Sequence, residues 1–151
     1  TRRAVDELRV AFPRATLVHH TVGAADTCLD GDRLQQIIGN LVANSVAYGD
    51  LQHPITITSR LGHDGASLSV HNHGPVITDA LMSVLFEPMT RGTDQHTDVR
   101  SVGLGLFIVR EIAKAHGGDV VASSQVGSGT TFTVCFQTNA AAPTFDLYSL
   151  E

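Results

Sequence analysis

Asp32-Arg-Leu-Gln-Gln-Ile-Ile-Gly-Asn-Leu-Val-Ala-Asn-Ser-Val-Ala-Tyr48 is the stretch on which the reading of this chain turns. With Leu34 at zero on a helical wheel of about 100° per residue, Ile37, Ile38, Leu41, Val42 and Ser45 fall within roughly 80° of it. The stretch therefore predicts an amphipathic helix with one face for a core. Asp30-Gly-Asp32 offers the N-cap, and Gly49-Asp50 ends the helix near Tyr48. Asn40 and Asn44 lie together on one flank of the apolar stripe, one turn apart. A carboxamide carries an acceptor oxygen and two donors without charge, so such a pair can ligate a hard cation and still donate to phosphate. By itself the pair is also what a solvated polar flank looks like.

Outward from this helix the chain alternates between two periods. Val5 to Val10 reads as a short entry segment stopped by Pro13, and Thr16 to His20 has strand composition. Ile55 to Arg60 and Ser67 to His71 alternate at period two around Gly62-His-Asp-Gly65, which predicts a hairpin. Asp79 to Leu85 reads as a short helix capped by Thr78 or Asp79 and ended before Pro88. Thr90 to Ser101 is polar, without apolar periodicity, and is expected to be a loop over a site. Leu104, Ile108, Ile112 and Ala115 recur at helical spacing before Gly117-Gly118. Val120 to Ser123 and Thr131 to Phe136 are expected as strands flanking a Gly127-Ser-Gly129 turn. These elements predict an α+β two-layer sandwich, about three helices on one face of a mixed, mainly antiparallel sheet. The expected domain is 1–137, with an Ala/Pro/Thr-rich tail at 138–151.

The 151 residues suit one domain able to bury a core without staples. Ten Lys and Arg against fifteen Asp and Glu give a net charge of -5, which argues against a broad nucleic-acid or anionic-membrane surface. Cys28 and Cys135 form no Cys-x-x-Cys pair, so zinc is not expected and a reducing, cytoplasmic setting is the simpler reading. No apolar run has the length of a membrane span, and no membrane contact by this domain is expected. The chain starts at Thr1 without a signal-like segment or an initiator Met, so the expectation is a piece of a longer protein.

Three further segments accompany the asparagine pair: Asn72-His-Gly-Pro75 at the end of a strand, Gly103-Leu-Gly-Leu106 at a helix start, and Gly127-Ser-Gly-Thr130. Glycines at a helix N-terminus let backbone N–H groups approach an anion, with the helix dipole in favour. Each segment alone is equally a plain turn or cap. Neither a Gly-x-Gly-x-x-Gly fingerprint in a βαβ unit nor a Gly-x-x-x-x-Gly-Lys-Ser/Thr phosphate loop is present. His19-His20 and His71-x-His73 read as strand and loop histidines rather than metal ligands.

In this order and spacing the segments resemble the N, G1, G2 and G3 boxes of the GHKL (Bergerat-fold) ATP-binding superfamily. The resemblance is strongest to the catalytic ATP-binding domain of sensor histidine kinases, including a branch attached to phytochrome photoreceptors. It runs from about Val5 to Phe136 and takes in Phe86-Glu-Pro-Met-Thr-Arg-Gly92 and the run from Gly103 to Gly118. The resemblance implies ATP and Mg²⁺ as cofactors, with Asn44 as metal ligand and Asn40 supporting metal or phosphates. It also implies a nucleotide pocket of Tyr48, Asn72, Gly74, Ile77, Gly103, Leu104, Gly105, Leu106 and Thr130 or Thr131. Asn72 stands where the family has an adenine-reading aspartate, and Arg91 where an arginine approaches the γ-phosphate.

Two departures accompany the match: Asn72 for that aspartate, and Ala47 where a lysine is common. The hydrolytic branches carry an acid at the position of Asn40 to activate water, and an amide cannot serve as that base. The resemblance therefore implies phosphoryl transfer, with Arg91 and Asn40 as the catalytic residues, rather than hydrolysis. None of the eight His residues sits in a phosphoacceptor context. The implied acceptor is a histidine on a dimerisation domain outside this chain, with a response regulator downstream and a homodimeric full-length protein. The competing reading is a non-catalytic nucleotide-binding or interaction module.

Overall fold

A computed structural model of the chain describes residues 1–24, 29–88 and 104–137. The elements run α1 (Arg2–Ala11), β1 (Leu17–Val22), α2 (Gly31–Tyr48), β2 (Ile55–Gly62), β3 (Gly65–Asn72), α3 (Asp79–Met82), α4 (Gly105–Ala115), β4 (Asp119–Gln125) and β5 (Gly129–Phe136). The strands form one mixed sheet in the order β1-β2-β3-β5-β4. Only β1 and β2 run parallel, joined through α2; the other three pairings are antiparallel. This is the α+β sandwich expected from the sequence, with four helices rather than three among the described residues.

The fourth helix is α1, a full ten residues where only a short entry segment was expected. Its single fully buried side chain is Val5, supported by half-buried Ala4 and Leu8, so its apolar face is narrow and easily underread. In α2 the predicted stripe is the buried set: Ile37, Ile38, Leu41, Val42 and Ser45. Asp30 caps it, its carboxylate accepting from the backbone N–H of Asp32 at 2.9 Å and of Arg33 at 3.3 Å. α3 ends at Met82 rather than at Leu85. Beyond it the N–H groups of Val84 and Leu85 turn to carbonyls three residues back, at Leu81 and Met82, which tightens the chain out of α geometry.

The α4 stripe needs correction. Leu106, Val109, Ile112 and Ala113 are the buried residues, whereas Leu104 precedes the helix as N-cap and Ala115 is exposed. Leu106-Phe-Ile-Val109 is apolar on every side, so periodicity could not choose the face; packing against α2, β4 and β5 does. The core joins that helix face to the inner side of the sheet: Ile55 and Ile57 on β2, Leu68 and Val70 on β3, and Phe132, Val134 and Phe136 on β5. Side chains alternate faces along each strand. The register therefore sets Asn72 opposite Thr130, and Thr130 opposite Ser124, in one polar row at the end of the inner face.

Candidate functional site

The chemistry-bearing residues lie along α2, where it meets the start of α4 at Asn40 and the polar row at Ser45. Asn40 and Asn44 are half-buried on the flank of α2. Asn40 faces the first residue of α4: a Cβ added to Gly105 would stand 3.9 Å from Asn40 Cβ, Cγ and Oδ1. The Asn40 Nδ2 is buried and has no hydrogen-bond partner among the described residues. An N–H left so in a protein interior costs about 1–3 kcal/mol, so its position calls for an acceptor. Leu104, the N-cap of α4, has no side-chain acceptor to satisfy the first-turn N–H groups, and that turn contains no acidic residue. Free N–H groups and the positive end of a helix dipole together favour an anion.

Asn72 is 7% exposed and closes the inner end of β3. Its Oδ1 accepts from Ser45 Oγ at 3.0 Å, and its Nδ2 donates to the His73 carbonyl at 3.0 Å. Beside it, Thr130 Oγ1 and Ser124 Oγ share a hydrogen bond at 2.8 Å, and Ser124 Oγ accepts from the backbone N–H of Ile77 at 2.9 Å. Ser124 thus ties the Ile77 segment to the sheet. Gly129, at φ +83°, is required by backbone proximity, since a Cβ there would overlap the Asn72 carbonyl. Gly74 has the same kind of cause: at φ +149°, its Cβ would lie 3.2 Å from Gly49 Cα and from the Tyr48 carbonyl oxygen. Its glycine serves the seam between β3 and the end of α2.

Of the residues singled out from sequence, Asn40 is brought against the start of α4, where Leu104, Gly105 and Leu106 stand, while Asn44 lies half-buried one turn further along α2. Asn72, Thr130 and Ile77 are brought together at the sheet end, while Tyr48 is 52% exposed where α2 ends. Thr131 is a correction. The pleat turns it to the outer face, where its Oγ1 meets His71 Nδ1 at 2.9 Å, so of the two threonines only Thr130 shares a face with Asn72. Arg91, Gly103 and the Thr90 to Ser101 loop lie outside the described residues, as do Cys28 and 138–151.

Ser124, and a place at the site for Ser45 and Gly49, do not come from the sequence reading, whereas Gly129 belongs to the Gly127-Ser-Gly-Thr130 segment already singled out. A serine in the buried stripe of α2 is the available signal for Ser45; Ser124 follows from strand register, and Gly49 from the packing of the end of α2 on Asn72. His71, His73 and His53 also cluster behind the site, with ring centroids 5.1 Å apart for His71 and His73 and 4.5 Å for His53 and His73. Burial, and then the neighbouring His73, hold His71 below its ordinary pKa of 6.5.

A mixed sheet with helices on one face, an amide pair beside an uncapped helix start and a buried amide at a strand end define a nucleotide-binding ATPase-like domain. Residues 29–140 match the family of histidine kinase-, DNA gyrase B- and HSP90-like ATPases, and the chain belongs to that family. It is 34% identical over 135 residues to the sensor protein CutS of Streptomyces coelicolor, covering 87% of this chain and 33% of CutS. Among solved structures it resembles the catalytic domain of histidine kinase ThkA, with a TM-score of 0.70 and 27% identity over 91% of each chain. It also resembles full-length ShkA in complex with AMPPNP, with a TM-score of 0.74 and 25% identity over 91% of this chain and 30% of that one. The chain spans about a third of the length of CutS.

Proposed function

We propose that this chain is the ATP-binding catalytic domain of a two-component sensor histidine kinase. It would transfer the γ-phosphoryl of Mg²⁺-ATP to a histidine on a dimerisation domain of the same protein. The observation that carries this reading is Asn40: a buried donor without a described partner, set against the uncapped start of α4. That arrangement fits phosphate oxygens. Asn44, one turn on, offers an amide oxygen to Mg²⁺, which keeps several waters and shares phosphate oxygens, so a single protein ligand suffices. The metal would supply neutralisation of phosphate charge.

Leu104, Gly105 and Leu106 would present backbone N–H groups to the phosphates, and Gly103 and Arg91 complete the assignment, Arg91 stabilising charge on the transferring group. Asn72, Ile77, Gly74, Thr130 and Tyr48 would surround the base. Asn40 has no protonatable oxygen at neutral pH and cannot activate water, which favours transfer over hydrolysis. The domain would span 1–137 with 138–151 as a tail. It would act on the cytoplasmic side, within a homodimer and upstream of a response regulator. Among the described residues no helix is long and apolar enough to cross a membrane.

A second reading, a nucleotide-binding module without catalysis, draws on Asn72 in place of the aspartate and on Ala47. Calorimetric titration with ATP, with and without Mg²⁺, followed by incubation with the native dimerisation domain, separates the two. Binding with transfer supports the kinase; binding without it supports the module; no binding overturns both.

A further inference from the structure

Three imidazoles stand at the seam where the end of α2 meets the end of β3. The His73 ring is neighbour to both others, its centroid 4.5 Å from that of His53 and 5.1 Å from that of His71. His53 Nδ1 meets Asp50 Oδ2 at 3.0 Å, and His71 Nδ1 meets Thr131 Oγ1 at 2.9 Å. Asp50 is the one carboxylate bonded to these rings among the described residues, and the cross-strand neighbours of His71, Thr56 and Thr131, are uncharged. No three His, Cys, Asp or Glu side chains among the described residues stand where they could share a metal ion. What this cluster can take up is protons.

The main chain of His73 closes the same seam. Its carbonyl accepts from the Asp50 N–H at 2.7 Å and from Asn72 Nδ2 at 3.0 Å. Gly74 follows with little slack, since a Cβ there would stand 3.2 Å from Gly49 Cα and the Tyr48 carbonyl oxygen and 3.3 Å from the Asp50 nitrogen. One residue thus carries both the central ring and the two bonds that join the seam.

We propose that His53, His71 and His73 form a proton sensor that opens the α2–β3 seam as pH falls and so weakens nucleotide binding at the adjoining Asn72. The inference rests on the nucleotide reading above. Asp50 can balance one protonated ring across its pair with His53. A second proton puts two cations on neighbouring rings with no second carboxylate bonded to them, and they repel. The Thr131 hydroxyl can accept or donate, so it does not keep a proton from His71. Burial, and then His73, already hold His71 below its ordinary 6.5, so the closed seam is the less protonated state. A nucleotide that binds the closed seam therefore releases protons, and its affinity falls with pH.

The test compares wild type with the His53→Gln/His73→Gln double variant and with His71→Gln at pH 7.5 and 5.5, with His20→Gln, an exposed histidine of β1, as control. Hydrogen exchange, corrected for its intrinsic rate, reads protection of the Asp50 amide; calorimetry in buffers of different ionisation enthalpy reads Mg²⁺-ATP affinity and protons released. Ionisation of ATP itself is common to all four proteins. From pH 7.5 to 5.5 wild type and His20→Gln are expected to lose about tenfold more affinity than the double variant, with His71→Gln in between. Protection of the Asp50 amide is expected to fall with pH in wild type and to hold in the double variant. Equal pH dependence of affinity in wild type and double variant, or Asp50 protection unaffected by pH in wild type, overturns the inference and leaves the nucleotide reading standing. A His20→Gln variant that flattens the response as much as the double variant does the same. Wild type that binds no nucleotide at pH 7.5 overturns both.

Discussion

Asn40 and Asn44 occupy one flank of one helix yet are set two different tasks by what stands opposite them. Asn40 meets Gly105 and buries its donor; Asn44, a turn further on and half-buried, is the residue proposed to offer oxygen to the metal. Asn44→Ala is accordingly expected to abolish the Mg²⁺ dependence of nucleotide binding while leaving the melting temperature of the free domain nearly unchanged. Titrations with and without Mg²⁺ check this, and an undiminished dependence refutes the metal role. Gly129 tests the backbone side of the site. Its positive φ and its contact with the Asn72 carbonyl predict that Gly129→Ala loses more than about 1 kcal/mol of stability, read as a drop in the urea midpoint. The asparagine pair was legible in the sequence because both members share a single helix. The Ser45–Asn72 bond was not, because it joins two elements 27 residues apart and only the packing of α2 on β3 makes them neighbours.

The elements show where local rules suffice. α2 carries its own boundaries, a capping Asp30 and a terminating Gly49, together with a stripe that is apolar except at Ser45, and its buried face is the one the sequence predicts. Leu41 sits at the centre of that stripe with no exposure, so Leu41→Ala is expected to cost about 2–5 kcal/mol in denaturant unfolding. α4 has four consecutive apolar residues and no cap, so its inward face was set by its neighbours. The strand pair β3–β5 shows the same limit: adjacent threonines at 130 and 131 face opposite sides, and only register tells which faces the helices.

The sheet also sets a pH response. Burial and His73 lower the pKa of His71; burial, with the N-terminal amino group, Arg2 and Arg9 near it, lowers that of His19. Folding disfavours the protonated form of each, so the unfolded chain binds more protons as pH falls through 6.5. Their contribution is present above that pH and lost as pH falls through the lower folded values. Asp50, held below 3.8 chiefly by the Gln52 N–H and then by His53, acts only in a more acid range. The urea midpoint is therefore expected to fall from pH 7.5 to 5.5, and to fall less in a His19→Gln, His71→Gln double variant.

At the scale of the whole molecule, the fold sets the α4 start without a side-chain cap beside Asn40 and ties the buried Asn72 amide to the same helix α2, while supplying no general base at Asn40. The sequence order of the four segments pointed to this site, since each is short and marked by glycine or asparagine. The seam that unites them is a property of packing, through α2 on α4 and Gly74 on the end of α2. The proposed function, transfer of a phosphoryl group to an acceptor outside the chain, rests on that packing. The direct measurement is incubation with γ-labelled Mg²⁺-ATP and the native dimerisation domain, scoring label on that domain against label released as inorganic phosphate. The account predicts acid-labile, base-stable label on a histidine of the dimerisation domain, with little free phosphate; nucleotide binding with label passing only to water, or to nothing, would contradict it.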